Sequence, residues 1–577
     1  MNAAAASLLI RRGIPRARAP IVVASRLPVP SLFRGLASLD KDGLRAILPV
    51  RKAFDLPDPG RGSYPRPPLS KIVSTIGPTS ENFDTLQEVV SEGMRIMRLN
   101  FSHATFEEAN LRIDNLKRCR GETTRLGRNG NNDNNLRAIL LDTRGPEIRS
   151  GKLADDLDGK KSIELRGGDR ITLHTSDIVR DAGSTASDLY IDYPGLASVV
   201  QPGSRVLLDD GAVVLNVLES YVATEAVTCE VEDTGDIRSR AGVNLPGCPT
   251  DLPPLSKKDE IDIRYGLERD IDYVAASFVQ DAKGVNATRA FCASVLYEEM
   301  GLDKNTHPLP LIIAKIESVQ ALHNFDEILA AADGIMVARG DLGVEIPIQQ
   351  VTNAQKEMIA RCNEVGKPVV VATQMLESMI NSPRPTRAEV ADITNAIYDG
   401  ADAVMLSGET AKGKYPVAAV RMMNDIVRGA ERFEKEAPDL AVGGRRRKPF
   451  KMVEVKKNIN DVSMSAVAAA EKIDAKAIIV LTNSGTIPRF LAAHRPHCPI
   501  LAFCPTYKIG RQLQIHRGVH PIVEIDGLEA HKRPSAAMRD AKDLGFISSG
   551  DDVVMVCVDK GTTDFFTMKI TTHTCIA

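Results

Sequence analysis

Tryptophan is absent from the 577 residues, and aromatic side chains make up only 4% of them. That scarcity speaks against a base-stacking platform for single-stranded nucleic acid. No stretch approaches the ~20 consecutive apolar residues of a membrane-spanning helix. The nine cysteines include no C-x-x-C pair, and the ten histidines complete no zinc spacing with them. An odd number of thiols without a pairing pattern reads as reduced and mostly buried, not as a disulfide framework. Disordered, collagenous and secreted disulfide-rich classes are excluded by a composition that is 43% hydrophobic and 26% charged, which is ordinary for a globular chain.

A chain of this length has room for several domains, and its charge is unevenly spread along them. Six Arg, no Lys and no acid precede Asp40, so the remainder carries 67 basic against 75 acidic residues. An apolar run at 3–10 is followed by Arg11 and Arg12 in a segment rich in Ala, Ser and Pro. Residues 1–39 therefore read as an organellar transit peptide, mitochondrial before plastid, with a cytoplasmic tail as the alternative. Residues 40–69 read as an N-terminal extension.

Eight short apolar runs follow, each ending in polar residues or glycine: 71–78 (KIVSTIGP), 94–103 (MRIMRLNFSH), 137–146 (RAILLDTRGP), 271–280 (IDYVAASFVQ), 309–318 (LPLIIAKIES), 333–343 (DGIMVARGDLG), 367–376 (KPVVVATQML) and 401–410 (ADAVMLSGET). Continuous apolar cores without alternation belong to strands buried on both faces. Helical periodicity fills intervals between them, with Phe83, Leu86, Val89 and Val90 on one stripe closed by Gly93, and Ala354, Met358, Ile359 and Cys362 on another before Gly366. The expected fold is an α/β (β/α)8 TIM barrel over 70–147 and 248–433. Between its parts, 148–247 switches to short alternating strands at 162–165, 170–174, 187–193, 205–218 and 226–231. This is an inserted β-barrel lid domain after the third strand. A charged linker at 434–457, with Arg445, Arg446, Arg447 and Lys448, leads to an open α/β domain at 458–577 with strands at 475–482, 499–504, 519–525 and 552–558.

In such a barrel the chemistry sits at the C-terminal strand ends. Those ends collect Thr75, Arg98, Asn100, Ser102, His103, Asp142, Thr143, Lys315, Glu317, Arg339, Asp341, Thr373, Ser407 and Glu409. Carboxylates and hydroxyls without cysteine suit Mg²⁺ or an alkali ion and not zinc. Arg98 and Lys315 beside those acids point to an anionic substrate held against a metal, as phosphoryl transfer requires. Residues two apart on a strand share a face, so Lys315 and Glu317 point together into the barrel; a structural ion pair is the competing reading. Residues 408–414 (GETAKGK) have P-loop spacing, but Tyr415 replaces the hydroxyl that would hold Mg²⁺.

These runs carry a resemblance. Residues 71–78, 98–103 (RLNFSH), 142–149 (DTRGPEIR), 242–246 (GVNLP), 315–317 (KIE), 335–345 (IMVARGDLGVE), 367–380 (KPVVVATQMLESMI), 383–389 (PRPTRAE) and 399–412 (DGADAVMLSGETAK) are similar to the motifs of pyruvate kinase, in the same order. The resemblance implies phosphoryl transfer from phosphoenolpyruvate to ADP, giving pyruvate and ATP, with no nucleic-acid or membrane partner and a homotetrameric assembly. It implies Mg²⁺ on Glu317 and Asp341, and K⁺ on Asn100, Ser102, Asp142 and Thr143, with Glu147 at the position that tracks K⁺ dependence. Lys315 is implied to neutralise the transferring group and Arg98 to clamp the phosphate. Gly340, Asp341 and Thr373 are implied to hold the substrate carboxylate, and His103, Arg149 and Arg240 to contact nucleotide. Thr373, or a water linked to Ser407 and Glu409, is implied as the proton route. Arg240 keeps one of two cations common before GVNLP, and Ala241 replaces the other. Residues 481–487 (LTNSGTI) resemble an effector phosphate loop through Thr482, Asn483, Ser484 and Gly485. Thr486 and Ile487 stand where Arg and Ser are common in members activated by fructose 1,6-bisphosphate, so that activation is not implied. A catalytically silent regulatory subunit and a metal-dependent aldolase are the competing functions; the undamaged rim and the nucleotide-side motif disfavour them.

Overall fold

The computed structural model describes residues 67–120, 136–158, 160–209, 211–436, 457–523, 534–560 and 566–575. Residues 1–39, expected to be a transit peptide, most of the expected extension at 40–69, residues 121–135, most of the linker and residues 561–565 lie outside them.

The eight apolar runs become eight strands: Lys71–Thr75, Met94–Asn100, Ala138–Asp142, Tyr273–Ala276, Leu311–Ile316, Gly334–Ala338, Val369–Ala372 and Ala403–Leu406. They close into a barrel, the eighth pairing with the first and every neighbour parallel. Alternate residues go to different places. Val73, Ile96, Leu140, Ile313, Met336 and Val370 fill the interior, whereas Ile72, Met97, Leu141 and Ile312 face the surrounding helices. Both faces are buried, which is why the strands show no polar alternation. The helix Phe83–Ser91 buries Leu86, Val89 and Val90, and its connection turns at Gly93 with φ +121°. The second stripe belongs to Ile348–Val365, which begins six residues before Ala354 and ends on left-handed Gly366 (φ 70°).

The insertion forms a seven-stranded sheet whose edge strands, Ile148–Arg149 and Asp188–Tyr190, meet through a bridge between Ser150 and Ile191. The sheet therefore curls back on itself around a core of its own, including Leu173, Leu189, Leu208, Leu215 and Val227. One expectation needs correction: 205–218 is two strands, Arg205–Leu208 and Val213–Tyr221, antiparallel to each other. Left-handed Asp209 and Gly211 (φ 52° and 86°) interrupt the run.

The C-terminal domain is an open sheet in the order Val519–Val523, Ile500–Cys504, Ala477–Leu481, Asp552–Lys560, Phe566–Thr574. Its last strand, antiparallel to the rest, was not among the four expected; its Thr-rich polar sequence lacks an apolar run. This domain seals the N-terminal end of the barrel. Ile515 joins the interior core, and Tyr273 Oη donates to the Arg511 carbonyl at 2.9 Å. Buried Asp272 pairs with Arg511 Nε at 2.9 Å, Asp402 with Arg495 at 3.0 Å, and Lys71 Nζ donates to the Val519 carbonyl at 2.6 Å. Among the described residues, no helix is long and apolar enough to cross a membrane.

Candidate active site

The opposite end of the barrel is open. A cleft of about 470 Å³ lies between the C-terminal strand ends and the inserted domain. Its lining includes Arg98, Asn100, Ser102 and His103 from the second strand and the turn after it, Lys315 and Glu317 from the fifth, Asp341 after the sixth, and Arg149, Asp209 and Asn244 from the insertion.

Asp142 is the hub. The register places it opposite Asn100 on the neighbouring strand. Its Oδ2 accepts from Arg98 Nε at 2.6 Å, and its Oδ1 lies 3.2 Å from Lys315 Nζ. Burial raises the Asp142 carboxyl, but Arg98 and Lys315 outweigh it and hold the group below its ordinary value. Arg98 also donates to Thr75 Oγ1 at 2.9 Å, so its guanidinium is fixed from two sides.

Lys315 Nζ donates to Ser277 Oγ at 2.8 Å and lies 2.8 Å from Glu317 Oε1, as two residues on one strand face should. Burial alone would lower this lysine; Asp142, Glu317 and Asp341 reverse that and raise it, so it stays charged. Glu317 is pushed up, first by burial and further by Asp341, against the pull of Lys315. Its Oε2 accepts the Phe278 N–H at 2.6 Å, while Oε1 has no hydrogen-bond partner among the described residues despite its closeness to the lysine. A buried carboxylate whose Oε1 meets only the lysine ammonium, beside a second carboxylate, fits a hard divalent cation. No group of three or more His, Cys, Asp or Glu forms a cage among the described residues; Mg²⁺ is commonly held by one or two carboxylates completed by substrate and water.

Of the oxygen-only set, Asn100 and Ser102 line the cleft, while Asp142, in register with Asn100, and Thr143 belong to the neighbouring strand end and do not line it. Asn100 Oδ1 accepts the Ser102 N–H at 3.2 Å, and the Thr143 carbonyl accepts from Ser277 Oγ at 2.6 Å. Glu147 Oε2 is bridged by Arg144 at 3.0 Å and Arg149 at 2.5 Å where the chain enters the insertion. Gly340 and Thr373 are joined by a 2.8 Å hydrogen bond from the Gly340 N–H to Thr373 Oγ1, and neither lines the cleft. Arg240 is exposed outside the lining; its carbonyl accepts from Arg149 Nη1 at 2.9 Å. Both Glu409 oxygens accept backbone amides, from Leu376 at 2.9 Å and Ser407 at 2.7 Å, while Ser407 Oγ is buried without a hydrogen-bond partner among the described residues. Far from the cleft, Thr482 Oγ1 accepts the Gly485 N–H at 3.0 Å at the start of the helix Thr486–Ala493.

Ser277 was missed, although it touches Lys315, Asp142 and Thr143. The available signal was its place: a hydroxyl directly after the apolar core of the fourth run, the one run that contributed nothing to the residues collected at the strand ends. The Phe278 amide had no such signal. It reaches Glu317 because Phe278 sits at φ 53°, a conformation that an aromatic residue holds only where its surroundings impose it.

Residues 68–420 match the family model described as pyruvate kinase, barrel domain, and 460–570 match pyruvate kinase, alpha/beta domain. Chains named pyruvate kinase from Staphylococcus aureus strains MRSA252, USA300 and NCTC 8325 are each 38% identical over 508 residues, covering 87% of this chain and 80% of theirs.

Proposed function

This chain belongs to the pyruvate kinase family, and on that premise we propose which of its residues carry the transfer of a phosphoryl group from phosphoenolpyruvate to ADP. The carrying observation is Asp142 holding Arg98 and Lys315 together at the cleft, beside the carboxylates of Glu317 and Asp341.

Glu317 and Asp341 would hold Mg²⁺, which when bound supplies the charge neutralisation that lets two polyanions approach. Asn100, Ser102, Asp142 and Thr143 would hold K⁺, with Glu147 left as a carboxylate near the entry to the lid. Arg98, fixed by Asp142 and Thr75, orients the phosphate for in-line attack. Lys315, kept charged by its acidic neighbours, stabilises the negative charge that develops as the phosphoryl group leaves. Asp341 faces the cleft, and Gly340 and Thr373 join it at the carboxylate when the hydrogen bond between them opens toward the cleft; His103 and Arg149 reach the nucleotide. Arg240 takes part only if the lid moves inward. Protonation of the product enolate falls to Thr373 or to a water at Ser407, because Glu409 is already occupied by backbone amides.

Thr482, Asn483, Ser484 and Gly485 form the effector-phosphate turn in this reading. The assembly is a homotetramer, and the Arg-rich first 39 residues direct the chain to mitochondria; import into isolated mitochondria tests the latter.

The test is pyruvate formation by the full chain, coupled to a dehydrogenase, with Mg²⁺ and either K⁺ or tetramethylammonium. Turnover should require K⁺, and Lys315→Met should lose at least about 100-fold in kcat. Undiminished turnover in tetramethylammonium overturns the K⁺ assignment. Undiminished turnover in the variant overturns that of the lysine.

A further inference from the structure

Arg339 stands at the C-terminal end of the sixth strand, where a cation facing the substrate would be expected. Its side chain turns elsewhere. It is only 12% exposed, does not line the cleft, and wraps the turn that follows the seventh strand. Nη2 donates to the Thr373 carbonyl at 2.6 Å and Nε to the Ala372 carbonyl at 3.2 Å. Nη1 donates to both carboxylate oxygens of Asp392, at 2.8 and 2.7 Å, on the helix Arg387–Asp399.

The turn so held is strained. Thr373 and Gln374 have φ values of 69° and 53°, and a β-branched residue in the left-handed region is a genuine outlier that persists only when its neighbours impose it. The conformation places Thr373 Oγ1 between the Gly340 N–H at 2.8 Å and the Ala372 carbonyl at 2.6 Å, next to the residue that precedes Asp341. We propose that Arg339 and Asp392 are positioning residues, a brace that holds Thr373 in this conformation for the reaction. The brace rests on the reading that Thr373 contacts substrate.

Asp392→Asn is the primary variant because Asp392 is the more exposed member, at 34%; Arg339→Lys accompanies it. Two readouts are used: kcat and KM for each substrate, and exchange of pyruvate methyl protons with D₂O by NMR, the reverse of enolate protonation. Asp392→Asn should lower kcat and exchange together by about 10-fold, a displacement effect, with KM for ADP unchanged. Adding Gln374→Gly should recover most of that loss, because glycine takes positive φ without a brace. Combined with Thr373→Ala, Asp392→Asn should add nothing further, as expected for residues acting through one another. Asp392→Asn that lowers thermal stability but leaves kcat and exchange intact overturns the brace, as do additive losses in the double variant. Thr373→Ala with full activity and exchange overturns the reading of Thr373 itself. Impaired Thr373→Ala beside normal Asp392→Asn overturns the brace alone.

Discussion

Charged groups are buried at both ends of the barrel, and the two ends use them differently. At the C-terminal end Asp142, Arg98, Lys315 and Glu317 share one another around an opening. At the N-terminal end Lys71, Asp272 and Asp402 are closed off by partners from the C-terminal domain. Lack of a partner does not distinguish them. At one end Glu317 Oε1 meets only the Lys315 ammonium, without an aligned hydrogen bond, and at the other His516 Nε2 and His520 Nε2 have no hydrogen-bond partner among the described residues. What differs is access, since Glu317 lines a cleft of about 470 Å³, whereas His520 is packed away and His516 borders a pocket of only about 10 Å³. An unsatisfied polar atom marks a binding site where a ligand can reach it; where none can, it is a cost of domain docking.

The difference is sharpest if Asp142 is removed as a charge. Asp142→Asn leaves Arg98 and Lys315 without their shared anion, and kcat should fall by about 10² to 10³, with pyruvate formation as the assay. A comparable loss of stability without loss of turnover would make the two ends alike. At the opposite end, Arg511→Ala leaves the buried carboxylate of Asp272 with only Lys508 at 3.6 Å and the Ile139 N–H, and should cost about 3 kcal/mol, read from the urea midpoint, while KM for both substrates holds.

Acid should act on the sealed end. His516 is held well below its ordinary value, first by burial and then by Arg489 and Lys71; His520 likewise, by burial and then by Lys71 and Arg95. Groups whose folded value is depressed bind protons more readily unfolded. Their contribution is therefore present above the ordinary value of 6.5 and is lost as pH falls below it, at up to about 1.4 kcal/mol per histidine per pH unit. The melting temperature should drop between pH 7 and pH 5, and substituting both by Gln should flatten that drop. Smallest of all, Asn244→Ala removes the 3.4 Å contact from the inserted domain to Glu345 and should raise KM by about two- to threefold, consistent with one weak hydrogen bond.

The barrel was legible because strands buried on both faces leave uninterrupted apolar runs, and most rim residues were legible because they follow those runs directly. Arg339 shows the limit. Its position at a strand end was read correctly, but the direction of its side chain depends on Asp392, 53 residues away. Ser277 and the Phe278 amide depend in the same way on contacts with the third and fifth strands. The final strand Phe566–Thr574 was not legible, since its register comes from pairing with Asp552–Lys560 and not from a pattern of its own.

By itself the sequence determined the eight-stranded barrel, the interruption after the third strand and the chemistry gathered on the rim. Each of these follows from local periodicity and from the rule that parallel strands end on one side. The tertiary structure alone decided that Asp142 joins Arg98 to Lys315, that Arg339 braces a turn, and that Ile515 closes the barrel floor. Those outcomes are set by partners distant in sequence, 238 residues for Tyr273 with Arg511 and 448 for Lys71 with Val519. A lysine or tyrosine in an apolar run has no local feature that says which carbonyl will accept its hydrogen bond once water is excluded.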